Sequence, residues 1–139
     1  MNTPGHFRKQ CDIVTLSVIL NIIPIFLFYN SGLYLLYVLT SLSTLFSFLY
    51  HVTYESSKLF LYLDMSTTII CFGVFIKCIL FNKYNYFYIS FLTISLCMFY
   101  LGSGRNKTQS RTCEYTMYHT IWHIMICILG CVYALQNTV

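Results

Sequence analysis

The stretch "YHTIWHIMICILGCVYAL", residues 118–135, is almost wholly apolar, and coiled as a helix it is about as long as the hydrocarbon core of a bilayer. Near its start stand His119 and His123, four residues apart and so on one helical face, one turn above the other. Two imidazoles placed this way point at one shared target. That target has to come from elsewhere in the chain.

Composition puts the whole chain in the same solvent. Of 139 residues, 58% are hydrophobic and 9% charged, and the mean hydropathy is +0.68, outside the range of soluble domains. Apolar runs about as long as a membrane span alternate with short polar segments, where a soluble globule would show polar faces every three or four residues. The net charge of +4 comes from eight Lys and Arg residues dispersed between the runs. They form no basic stripe interleaved with aromatics, so they read as topology signals and not as a nucleic-acid surface. Seven cysteines are present, but Cys71, Cys78, Cys97, Cys127 and Cys131 fall inside apolar runs and read as small packing residues. Cys11 and Cys113 lie near water, and no CxxC pair exists.

The pattern predicts an all-α integral membrane protein, multi-pass, in a single transmembrane domain. Five spans are expected at 13–29, 33–52, 59–81, 84–101 and 115–135. The first run could serve as a signal peptide. It lacks an A-x-A-like cleavage site, however, and Asn21 and Pro24 inside it resemble the tolerated kink of a membrane helix packed on neighbours. With five spans the termini lie on opposite sides. The N-terminal side then carries Arg8, Lys9, Lys58, Arg105, Lys107 and Arg111, and the other side carries Lys83 and a snorkelling Lys77. This bias predicts a cytoplasmic N-terminus and a C-terminus outside or in a lumen, and it leaves the "NKT" sequon at Asn106 unmodified in the cytoplasm. Tyrosines cluster at both expected interfaces: Tyr50, Tyr54, Tyr62, Tyr100, Tyr115 and Tyr118 inside, and Tyr29, Tyr34, Tyr84, Tyr86, Tyr88 and Tyr133 outside. They read as an aromatic belt.

An ionisable group within a span is costly unless it is paired or lines a cavity, so by default it marks function. Apart from Lys77 these groups are His51 at the end of span two, Asp64 early in span three, and His119 and His123 early in span five. Span two descends to the side from which spans three and five rise. At about 1.5 Å per residue, all four groups fall within roughly 3 to 14 Å of the cytoplasmic boundary. Ser47 shares that level, one turn before His51.

Three imidazoles and a water make an open tetrahedral zinc site of the catalytic type, in which zinc acidifies the water and polarises a carbonyl. Asp64 is placed to orient that water and accept its proton, and Ser47 to donate to an oxyanion or to position the water. Each residue also has a plainer reading. Intramembrane histidines serve as helix-to-helix hydrogen-bonders as well as ligands, Ser47 can bond back to its own helix, and Asp64 can cap or pair with Lys58. The conjunction of the groups favours a shared polar site.

The segments "SFLYH" (Ser47 to His51), "YLDMSTT" (Asp64) and "HTIWH" (His119 to His123) resemble the S-x-x-x-H, D, H-x-x-x-H signature of a membrane superfamily. It contains alkaline ceramidases, progestin and adipoQ receptors, hemolysin III-like proteins and post-GPI-attachment lipid-remodelling proteins. The resemblance implies zinc held by His51, His119 and His123, with Asp64 and Ser47 touching the metal-bound water, and amide hydrolysis of sphingolipids as in characterised members. Family members typically have seven spans. Here one expected span, not three, separates the Asp helix from the HxxxH helix, which leaves the parity of the site unchanged. A neighbouring subunit in a homo-oligomer would supply the missing wall, or the site opens sideways to lipid.

Two functions follow as expectations. One is a zinc-dependent intramembrane hydrolase, ceramidase-like, that cleaves a lipid amide or ester near the cytoplasmic leaflet. The other is a non-enzymatic receptor or fusion/remodelling protein of the same superfamily with structural zinc. A metal or proton conduit would need polar residues through the whole thickness, and the outer halves of the spans offer only scattered hydroxyls.

Overall fold

A computed structural model describes residues 13–53, 55–101 and 112–138, without the side chains of residues 112 and 113. Of the sequence features above, Arg8, Lys9, Cys11, Tyr54, Asn106 and the basic residues of its loop lie outside the described residues, as does the Cys113 side chain. The described chain is all-helical. Helix α1 spans Ile13–Asn30, α2 Tyr34–Val52, α3 Lys58–Leu80, α4 Asn85–Leu101 and α5 Thr112–Gln136. Four of them, α1, α2, α3 and α5, are long and apolar enough to cross a membrane, and α4 is an apolar helix of 17 residues. The helix limits fall within a few residues of those expected from sequence. The largest difference is α5, which starts at Thr112 and takes Glu114 into its first turn, where a carboxylate complements the helix dipole.

Local chemistry explains the breaks. Gly32, at φ 70°, closes α1 as only glycine does without strain: its N–H bonds to Tyr29 O at 3.2 Å, and that of Leu33 bonds to Phe28 O at 2.9 Å. Ser57 caps α3 by accepting from the Phe60 N–H at 3.3 Å. Within α1, Pro24 has no N–H to give to Leu20 O, and the helix is interrupted at Leu20 and Asn21. The freed carbonyl accepts instead from the Ile23 N–H at 3.1 Å and from the Cys127 thiol of α5 at 3.3 Å. The kink expected from Asn21 and Pro24 is therefore present and is satisfied by a neighbouring helix, as a membrane interior requires.

The helices form a ring. Helix α2 packs along α3, α1 packs on both α2 and α5, and α4 packs on α5, while α3 and α4 touch only sparsely although consecutive in the chain. The dry core sits at one end, where Phe28, Leu36, Phe75, Ile79, Tyr88 and Leu129 are buried together. The opposite end holds the polar residues described below. On the outside the apolar surface is extensive. Helix α3 contains a window of mean hydropathy 1.9 of which only 6% is buried, a surface suited to lipid and not to water. Five cysteines, Cys71, Cys78, Cys97, Cys127 and Cys131, are free thiols within the helices.

The aromatic belt is smaller than expected. Tyr29, Tyr34, Tyr62, Tyr84, Tyr86 and Tyr100 are exposed as a belt requires, but Tyr50, Tyr88, Tyr115 and Tyr133 point inward and are buried. Each has an internal use: the Tyr50 ring lies against His51 at 5.3 Å. Tyr88 donates to Gln136, Tyr133 packs edge-on against Phe75 and Tyr88, and Tyr115 belongs to the polar end.

Close approach of α1 and α5 depends on Gly130, where an added Cβ would stand 2.9 Å from Pro24 Cβ, an atom of a rigid ring. Gly130→Ala should destabilise the protein by roughly 1–3 kcal/mol through overpacking, read as a lower thermal midpoint in detergent. Gly73→Ala, whose methyl would meet nothing within 4 Å, should not. Equal midpoints for the two variants would contradict this packing.

Candidate metal centre

The polar end is built from an antiparallel seam. Helices α2 and α3 face each other through Thr40 and Cys71 (3.7 Å), then Ser43 and Thr68 (2.9 Å), then Ser47 and Asp64. Steps of three or four residues on each helix keep one polar stripe turned to the other. The Asp64 carboxylate ends the ladder, taking a hydrogen bond from Thr68 Oγ1 at 3.4 Å with Ser47 near it across the seam.

One turn beyond Ser47, His51 meets the two histidines of α5. Ring centroids are 5.0 Å apart for His51 and His119, 5.6 Å for His51 and His123, and 4.8 Å for His119 and His123. One ligand atom from each ring lies within 4.8 Å of the others. His51 is 1% exposed and His123 5%. The Nε2 of His123 is buried and has no hydrogen-bond partner among the described residues, an arrangement that costs about 1–3 kcal/mol unless something fills it. Residues far apart in sequence that depth along the spans placed in one layer do come together: Ser47, His51, Asp64, His119 and His123 occupy one end of the bundle.

Sequence reasoning missed two residues here. Glu55 Oε1 lies 2.9 Å from His51 Nδ1, and the Tyr115 hydroxyl donates to the same oxygen. The Glu55 side chain is 2% exposed. Its backbone is left-handed, φ 56°, after its N–H closes on Tyr50 O at 2.9 Å, a conformation that costs a non-glycine residue roughly 1–2 kcal/mol. The signal available in sequence was spacing alone: Glu55 stands four residues after His51, and Tyr115 four before His119.

Between the helices lies a cavity of about 530 Å³ lined from all five. Ser47, Asp64, Thr68, His119 and His123 lie at its polar end, Asn21, Thr40, Ser43 and Thr44 also line it, and Phe28, Ile69, Phe72, Ile126 and Leu129 belong to its apolar wall. Trp122 stacks on Phe72 at 5.4 Å and meets Phe99 at 4.9 Å, so the wall beside the histidines is aromatic.

The donor set fits a divalent transition metal. Imidazole nitrogen suits zinc, the unpartnered His123 Nε2 needs a partner, and two carboxylates, the buried one of Glu55 and the part-buried one of Asp64, stand near the three rings in a setting that suits a dication. Among the described residues these three histidines are the group that could hold such an ion. Compared with family models, with curated proteins and with solved structures, the chain matches none.

The centre predicts one zinc per chain. His119→Ala or His123→Ala should each weaken zinc binding by orders of magnitude in elemental analysis of purified protein, and Lys77→Ala, at an exposed position, should leave it unchanged. Metal-free parent protein together with histidine variants as stable as the parent would reduce the cluster to packing.

Proposed function

We propose that the chain is a zinc-dependent hydrolase of a membrane lipid, cleaving an amide or ester bond near the cytoplasmic leaflet. The observation that carries this reading is the juxtaposition of three histidines with Asp64 and Ser47 at the polar end of a large apolar cavity. The resemblance of the S-x-x-x-H, D and H-x-x-x-H segments to alkaline ceramidases and their relatives supports it. The distribution of Lys and Arg supports an N-terminus, and a site, on the cytoplasmic side of a five-span bundle.

His51, His119 and His123 would hold the ion. What zinc supplies when bound is Lewis acidity, which polarises a carbonyl oxygen and makes water a usable nucleophile at neutral pH. The remaining work falls to the chain. Asp64 accepts a proton from water at the site, and the hydrogen bond from the Thr68 hydroxyl helps fix which way the carboxylate faces. Ser47 can turn its hydroxyl toward oxygen charge that develops on the substrate. The apolar wall takes hydrocarbon and keeps bulk water from the reacting bond, which strengthens each of these polar interactions.

A non-enzymatic receptor or remodelling role is the second reading. It is favoured by the sparse contact between α3 and α4, which leaves the chamber less fully walled than a seven-span bundle would. Asp64 separates the two, since a purely structural ion needs the histidines only. Asp64→Asn keeps the size of the side chain and removes the proton acceptor, so a hydrolase should retain fold and zinc while losing about 10²- to 10⁴-fold in rate. The assay is turnover of ceramide and acyl-ester lipids in liposomes at equal zinc occupancy. A folded, zinc-bound parent that hydrolyses neither, or an Asp64→Asn variant as fast as the parent, would replace the hydrolase with the scaffold.

A further inference from the structure

We propose that Glu55 is a positioning residue of the histidine centre, and that Tyr115 holds it in place. The inference rests on the metal reading above, and its geometry stands in the chain itself. Oε1 of Glu55 faces two groups, His51 Nδ1 and the Tyr115 hydroxyl. A phenol donates to a carboxylate, so Oε1 is an acceptor, and the contact from the ring is then Nδ1–H donating. With the proton on Nδ1, the lone pair of His51 is on Nε2, which is the nitrogen that can ligate. Which nitrogen carries the proton is a decision the imidazole cannot make alone, and a ligating histidine commonly has it made by a carboxylate or carbonyl on its other side.

Two further observations point to the same role. Glu55 adopts the left-handed region at the end of α2, and that turn lets its side chain return toward His51 on the preceding turn of the helix. Its other contact, Tyr115, stands on α5 one turn before His119, so a single carboxylate ties the helix that carries one histidine to the helix that carries the other two. The relative placement of α2 and α5, and with it the closeness of the three rings, is set at this oxygen. Asp64 lies on the cavity side among hydroxyls and has a different part.

The test uses full-length purified protein in detergent, with two readouts. The first is zinc affinity, by competition with a chromophoric chelator. The second is the nitrogen-15 spectrum of the imidazoles in metal-free protein at neutral pH, which reports the tautomer of His51 without any metal. Glu55→Ala should lose about 10- to 100-fold in zinc affinity and shift His51 from the Nδ1–H toward the Nε2–H tautomer. Glu55→Gln, which keeps an acceptor, should restore the tautomer and part of the affinity. Tyr115→Phe, which removes one hydrogen bond and no volume to speak of, guards against a Glu55→Ala protein that fails to fold; it should show a smaller loss in the same direction. Lys77→Ala is the control. An unchanged His51 tautomer, or parental zinc affinity, in folded Glu55→Ala or Tyr115→Phe protein overturns the proposal. A parent that binds no zinc overturns the metal reading instead, and the tautomer shift then decides the positioning role by itself.

Discussion

Ionisable groups withdrawn into an apolar bundle must find each other, and the architecture follows from that requirement. A carboxylate at the centre of a span costs about 2.5–3.5 kcal/mol on insertion scales. This chain places a carboxylate, Asp64, nearer the end than the centre of a helix whose best window has a mean hydropathy of 1.9, where the cost is smaller but of the same sign. The cost is offset by the seam of hydroxyls that α2 turns toward α3, ending in Ser47 beside Asp64. The same stripe, continued one turn, delivers His51 to the histidines of α5. A second carboxylate, from Glu55, closes the cluster from the other side. Three imidazoles between two acids form a donor set that suits a dication.

The chamber depends on a different constraint, the backbone of α1. Pro24 breaks the hydrogen-bond ladder and α5 answers it twice: Cys127 takes up the freed Leu20 carbonyl, and Gly130 leaves room for the proline ring. Docked this way, α1 closes the ring between α2 and α5. The space of about 530 Å³ between the helices has the histidines at one end and a mainly apolar wall, interrupted by Asn21, Thr40, Ser43 and Thr44, over the rest. On the hydrolase reading proposed above, such a space would take a molecule with a polar reacting group and an apolar tail, admitted where α3 and α4 touch only sparsely.

Much of this was legible in the sequence because membrane helices reduce a fold to depth and facing. Counting residues from the interface put Ser47, His51, Asp64, His119 and His123 in one layer, and the four-residue spacing put the paired histidines on one face. The Pro24 kink was legible for the same reason, since a missing N–H within a span has few remedies. Glu55 was not legible, because it lies past the end of α2, and nothing in the sequence says that a glutamate there will take a left-handed conformation and fold back. Tyr115 was misplaced because a tyrosine at a helix end suits an interface and a buried hydrogen bond equally well. Only the angle of α5 about its axis decides which, and that angle is fixed by tertiary packing.

In the proposed centre three imidazoles, with no thiolate and no fourth protein ligand, hold the metal and leave it open to substrate. X-ray absorption at the zinc edge of purified protein with one equivalent of metal reads that ligand shell directly. Three imidazole nitrogens at about 2.0–2.1 Å are expected, with a single light oxygen-like scatterer in the fourth position and no sulfur. Sulfur in the shell, a fourth imidazole, or protein that takes up no stoichiometric zinc would contradict the proposed centre.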